Sequence, residues 1–134
     1  MRIVIDTNVI ASAIFFGGKP AQLVELLMQH ALSAYITQDI LQEYQETIAE
    51  LTDRYPQKKV FVPFTQIAAA CKIIESTSEI HICRDPDDDK FIECAVDSKS
   101  IYIVSGDKDL LDIDTFQNVK IITVADFFRN YLQQ

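Results

Sequence analysis

The sequence predicts an α/β fold of three layers, with a central, mostly parallel sheet of four to five strands covered by helices on both faces. Two patterns predict it. Short β-branched runs recur along the chain, and apolar residues at helical spacing lie between successive runs. Strands separated by helices imply right-handed crossovers and therefore a parallel sheet. The length of 134 residues and an apolar content of 49% suit one domain spanning 1–134, with one core and no room for a second.

Ile3-Val4-Ile5 reads as a buried strand that ends at the polar Asp6-Thr7-Asn8. Val9, Ile10, Ala13 and Ile14 have helical spacing, and Gly17-Gly18-Lys19-Pro20 breaks that helix before a second one carrying Leu23, Leu26 and Leu27. Ala34-Tyr35-Ile36-Thr37 is the second strand. Residues 38 to 51 form a helix with Ile40, Leu41, Tyr44 and Ile48 on one face and Glu43 beside it. Residues 63 to 75 repeat the helical spacing, and Ile80-His81-Ile82 is read as the third strand. Asp85-Pro86 signals a helix start, with Phe91, Ile92, Ala95 and Val96 as the inward stripe. Ile101 to Val104 makes the fourth strand, stopping at Ser105-Gly106-Asp107, and a short helical turn follows at Leu110-Leu111. Residues 119 to 124 form the last strand and 125 to 132 the closing helix.

Composition removes several classes. No apolar run approaches the roughly 18 residues of a membrane span, and Met1 to Ile5 is too short for a secretory core, so a soluble cytoplasmic protein is expected. Cys71, Cys83 and Cys94 form no C-x-x-C pair, which speaks against zinc and against a disulfide framework and for a reducing compartment. A formal charge of −8 is the opposite of a general nucleic-acid binder's basic footprint. The acids are clustered, however. Four fall between Asp85 and Asp89, and four more between Asp107 and Asp114.

In open parallel sheets the functional crevice lies beyond the carboxyl ends of the strands, where strand order reverses. Asp6 follows the first strand directly, Asp107 follows the fourth by three residues, Asp89 sits in a first helical turn, and Glu43 in a second. Capping and solvated surface roles are the ordinary reading of Asp85, Asp87, Asp88, Asp89, Asp109 and Asp112, as of Glu43 alone. Asp6 differs, because a carboxylate at the end of a wholly apolar strand is costly to desolvate without a partner or a cation. Several carboxylates held together repel until their pKa values rise or a cation joins them. Oxygen ligation selects hard ions such as Mg²⁺ or Mn²⁺, which favour phosphate chemistry.

Taken together, Ile3-Val4-Ile5-Asp6-Thr7-Asn8-Val9, Phe16-Gly17-Gly18-Lys19-Pro20, Asp85-Pro86-Asp87-Asp88-Asp89-Lys90-Phe91 and Val104-Ser105-Gly106-Asp107-Lys108-Asp109-Leu110 resemble the PIN-domain nucleases, specifically the small prokaryotic PIN proteins of toxin-antitoxin type. The resemblance covers nearly the whole chain. It implies that Asp6, Glu43, Asp89 and Asp107 are catalytic and bind one or two Mg²⁺ or Mn²⁺ ions, with Asp88 as the alternative to Asp89. Asn8, Ser105 (where the family commonly has Thr) and Asp109 would support that shell. The implied reaction is hydrolysis of single-stranded RNA, with an antitoxin protein as partner and a homodimer as the common assembly. Lys19, Lys90 and Lys108 are the candidate phosphate contacts.

Rival chemistries lack parts. Only His30 and His81 are available to a metal-independent two-histidine ribonuclease, and His81 lies between isoleucines. A phosphate-binding loop ending at Gly18-Lys19 needs Gly at Ala13, an EF-hand from Asp85 needs Gly at Lys90 and Glu at Val96, and a D-x-D phosphatase needs an acid at Asn8. A receiver-like phosphoacceptor would need an acceptor aspartate after a middle strand and a lysine after a later one. The alternative of another class is a non-catalytic module whose acidic pocket docks a basic partner peptide.

Overall fold

The computed structural model describes residues 1–131. Its elements are β1 (Arg2–Ile5), α1 (Thr7–Phe15), α2 (Gly18–Met28), β2 (Ser33–Ile36), α3 (Gln38–Arg54), α4 (Phe64–Ala70), β3 (Lys72–Ile73), a single 3-10 turn (Pro86–Asp88), α5 (Asp89–Asp97), β4 (Tyr102–Val104), α6 (Lys108–Ile113), β5 (Thr115–Phe116), β6 (Val119–Ile122) and α7 (Val124–Tyr131). The six strands run in the order β3-β2-β1-β4-β6-β5, and every pairing is parallel except β5 with β6. The α/β class and the parallel sheet agree with expectation; the sheet has one strand more than the upper number expected.

Burial explains the sheet's composition. Ile3, Val4 and Ile5 of β1 and Ile103 and Val104 of β4 are buried, as strands covered on both faces must be. Phe91, Ile92 and Ala95 of α5 and Phe127 of α7 complete the core against them. The chain moves outward from β1 to β2 and β3, then returns to β4 on the other side of β1. Strand order therefore reverses between β1 and β4, whose ends align with Ile5 opposite Val104.

Three expectations are corrected. Residues 80 to 82 form no strand, because α5 side chains take their amides: Glu93 accepts from Ile80 at 2.9 Å, and Asp89 accepts from Ile82 at 3.1 Å and Cys83 at 2.9 Å. The helix expected over 63 to 75 stops at Ala70, and Lys72–Ile73 pairs with the open edge of β2, extended by the Ile74 amide on the Ile36 carbonyl at 2.9 Å. The strand expected over 119 to 124 is found as β6, and β5, its antiparallel partner, is an addition to the expected strands. The Asp85-Pro86 signal does cap, but it opens the 3-10 turn and α5 begins only at Asp89. Leu132, the end of the expected closing helix, lies outside the described residues. No single helix among those described is long and apolar enough to cross a membrane.

Candidate active site

Asp6 is the helix N-cap of α1, yet its side chain makes no capping bond. It is buried at the end of β1, where the Ser105 hydroxyl donates to its Oδ2 at 2.7 Å. Burial pushes its pKa up; Ser105 and the Thr7 amide oppose this, while Asp107 and Glu43 add to it. Ser105 also accepts from the Asp107 amide at 3.0 Å, so one buried hydroxyl ties together the ends of β1 and β4.

Asp107 caps α6, accepting from the Asp109 amide at 3.1 Å. It is one of the like charges that act on Asp88. The Asp88 pKa is pushed up to about 7 by partial burial first, then by Asp107, Asp6 and Asp85 as like charges. Asp6, Asp107 and Asp88 thus lie near enough to act on one another's charge beside the reversal point of the sheet, where open α/β folds place their ligands.

Asp89, the residue favoured from sequence over Asp88, is buried and lines the same cleft as Glu43 and Lys90. Its Oδ1 is occupied by the Ile82 and Cys83 amides, and it clamps the 80–83 segment onto α5. Burial works to raise its pKa, but the Cys83 amide and thiol, the Ile82 amide and His81 outweigh it, and the net direction is down. Asp88 thus shares the charge of Asp107 and Asp6, whereas Asp89 uses Oδ1 to hold the loop.

Glu43 is brought to the rim by α3. The Thr7 hydroxyl donates to its Oε2, and the Lys90 ammonium lies 2.7 Å from Oε1. Buried Tyr44 donates its hydroxyl to the Ile5 carbonyl, locking this part of α3 to the end of β1. Burial drives the Tyr44 pKa well above its usual value, so it stays a neutral donor. Beside Glu43 and Lys90 lies an open cleft of about 500 Å³ that also carries Asp39, Glu46, Asp87 and Glu93.

The remaining candidates divide. Asn8 is exposed and lines a cleft with Ser105 and Gly106. Asp109 supports Asp107 through its amide, while its carboxylate pairs with Arg84 at 2.8 Å. Lys90 is committed to Glu43, whereas Lys19 and Lys108 are exposed at the starts of α2 and α6. Sequence reasoning missed Thr7 and Arg84 as site neighbours. Thr7 had a signal, since it directly follows the first acid; Arg84 had none beyond its place beside Asp85.

The donors are all carboxylate oxygens, the chemistry a hard divalent ion selects, and the repulsion among them is what such an ion relieves. Among the described residues no three acidic, imidazole or thiol groups stand close enough to enclose an ion, so Asp88 and Asp107 form a pair with Asp6 and Glu43 around it.

The PIN-domain family model matches residues 2–109, which span every carboxylate of this cluster. The chain belongs to the PIN-domain family. Among its relatives is a protein of Methanocaldococcus jannaschii, described only as uncharacterized, that is 32% identical over 117 residues. That alignment covers 84% of this chain and 75% of the relative. No solved structure matches the chain. PIN domains are typically nucleases, and PIN-domain nucleases generally use divalent metals. The oxygen-only cluster at the sheet's reversal point fits that general chemistry.

Proposed function

We propose that this PIN domain is a Mg²⁺- or Mn²⁺-dependent endoribonuclease that hydrolyses phosphodiester bonds of single-stranded RNA, acting in the cytoplasm as the toxin of a toxin-antitoxin pair. The observation that carries the reading is the Ser105 hydroxyl that ties buried Asp6 to Asp107 where β1 and β4 end, with Asp88 within reach of their charge. Asp88 and Asp107 would hold the cation, with Asp6 and Glu43 around it. When bound, a divalent ion supplies a more acidic water and neutralises charge growing on the phosphodiester.

The protein's own groups do the positioning. Ser105 fixes the Asp6 carboxylate through Oδ2, and the Asp109 amide fixes Asp107 through Oδ1. Thr7 and Lys90 hold the two oxygens of Glu43. Asp88 is the cluster member able to take up or release a proton at its carboxyl near neutrality. The motifs' resemblance to toxin-antitoxin proteins supports RNA as substrate, an antitoxin as partner and a homodimer as assembly; the three free cysteines fit a reducing cytoplasm.

The test is cleavage of matched oligoribonucleotides and oligodeoxyribonucleotides with Mg²⁺, Mn²⁺ or EDTA, by wild type, Asp6→Asn and Asp88→Asn. RNA cleavage that needs the metal and falls at least about 100-fold in both variants is expected. Cleavage persisting in EDTA, or in both variants, overturns the reading. A second reading, an acidic module that docks a basic peptide without catalysis, has one observation in its favour: the Lys90 ammonium already sits on Glu43. Metal-dependent turnover by the wild type rejects it.

A further inference from the structure

The loop Phe16-Gly17-Gly18-Lys19-Pro20 takes no part in the carboxylate cluster, yet it helps build a large exposed aromatic surface. Phe16 is 70% exposed, Tyr55 54% and Phe61 50%. Grouped exposure of this kind marks contact surfaces. The rings are held rather than loose. Gly17 has a φ of +72°, and a Cβ there would lie 3.0 Å from the Phe61 ring, so that ring packs on bare backbone. The Phe61 amide donates to the Ile14 carbonyl at 2.7 Å. Phe16, Tyr55 and Lys58 wall a cleft of about 250 Å³ with Phe15 and Leu51.

The patch is also cationic within a chain of charge −8. The Lys58 ammonium lies 4.3 Å from the centre of the Phe16 ring, and that of Lys59 lies 5.3 Å from the Phe61 ring. No ion pair among the described residues engages either lysine. Exposed aromatic rings for bases, and ammonium groups that engage no carboxylate and can turn from a ring to a phosphate, are the two ingredients of single-strand binding. An acidic or apolar protein partner would need the lysines or the rings; a single-stranded polyanion uses both.

Its placement connects it to the cluster. Helix α1 starts at Asp6 and ends at Phe15, on the order of 14 Å away at 1.5 Å per residue. Asn8 and Ser12, four residues apart on α1, share a face and line one cleft with Ser105, and Phe16 caps the helix at its far end. Asn8 and Phe16 are exposed, Ser12 is half-buried, and α1 carries no charged side chain. Between the patch and Asp6, α1 therefore offers only uncharged side chains.

We infer that Phe16, Tyr55 and Phe61, with Lys58 and Lys59, form an exosite that stacks the unpaired bases of single-stranded RNA and leads the strand along α1 to the carboxylate cluster; the inference rests on the nuclease reading above. The test uses the full chain as Asp6→Asn in EDTA, with anisotropy of a fluorescein-labelled, unstructured oligoribonucleotide. Phe16→Ala weakens binding at least about five-fold, the fold-change of one lost base stack. The double variant Lys58→Gln/Lys59→Gln lowers the slope of log affinity against log salt by about 1.4. Both changes are on exposed side chains, and a thermal melt checks the fold. In the cleaving background, Phe16→Ala raises KM and leaves kcat unchanged. Unchanged affinity and slope in both variants, while the wild type still cleaves RNA, overturn the exosite alone, and a patch serving a protein partner gives that result. A wild-type chain that neither binds nor cleaves any single strand overturns the nuclease reading with it.

Discussion

At the scale of single residues, two adjacent aspartates have opposite duties. Asp88 shares a like-charge cluster, and Asp89 satisfies two loop amides. Asp88→Asn should therefore lower metal-dependent cleavage at least about 100-fold while leaving the fold intact. Asp89→Ala should cost about 2–3 kcal/mol in urea unfolding, since it leaves the Ile82 and Cys83 amides unpaired next to buried structure. Loss of activity in Asp89→Ala at full stability, with activity kept in Asp88→Asn, would reverse the assignment. The run Asp87-Asp88-Asp89 could not be resolved from sequence, because one residue of helical rotation, about 100°, decides which carboxyl faces β1. The intervening 3-10 turn sets that rotation. Asp6 was legible because an acid ending an apolar strand has so few ordinary roles.

At the scale of elements, α3 and α5 reach outward with side chains to pin chain that has no ladder of its own. Tyr44 ties α3 to the Ile5 carbonyl, so Tyr44→Phe should cost about 1–2 kcal/mol and lower kcat through displaced Glu43, with KM little changed. Asp97 of α5 accepts from the Thr77 amide at 2.9 Å and the Ser78 amide at 3.0 Å, and from both the Ser76 and Ser78 hydroxyls. Although burial opposes it, these donors hold its pKa down at about 2. Its folded pKa lies below the unfolded value of 3.8, so its stabilisation is present above pH 4 and fades as pH falls toward 2. Asp97→Asn should flatten the acid limb of the stability curve in that window, which urea melts at pH 2 to 5 would measure. These reaches also explain which elements were legible. Strands that pair in the middle of the sheet, β1, β2, β4 and β6, announce themselves by β-branched apolar runs. Ile80 to Ile82 shows the same pattern and is not a strand, since Glu93 and Asp89 intercept its amides. The β5 and β6 hairpin turns at Gln117, whose φ of +52° no glycine signals.

For the whole molecule, charge is the governing quantity. Asp6, Glu43, Asp88 and Asp107 account for four of the 20 acidic residues, and discounting them halves the formal charge from −8 to −4. The same gathering that suits a cation strains the fold without one, as like charges in a low-dielectric crevice must. Asp88 has its folded pKa raised from 3.8 to about 7, so its contribution favours the folded state fully below pH 4 and is lost as pH rises through 7. In EDTA, Asp88→Asn should therefore melt higher than wild type at pH 8, by a few degrees for each kcal/mol relieved, and by a smaller margin at pH 5. Saturating Mg²⁺ should invert the order at pH 8, because the wild type gains the binding free energy that the asparagine variant forfeits. Differential scanning calorimetry at the two pH values, with and without Mg²⁺, gives four comparisons. A wild type that melts above Asp88→Asn at pH 8 in EDTA, with no response to Mg²⁺, would mean that Asp88 serves the fold and holds no ion.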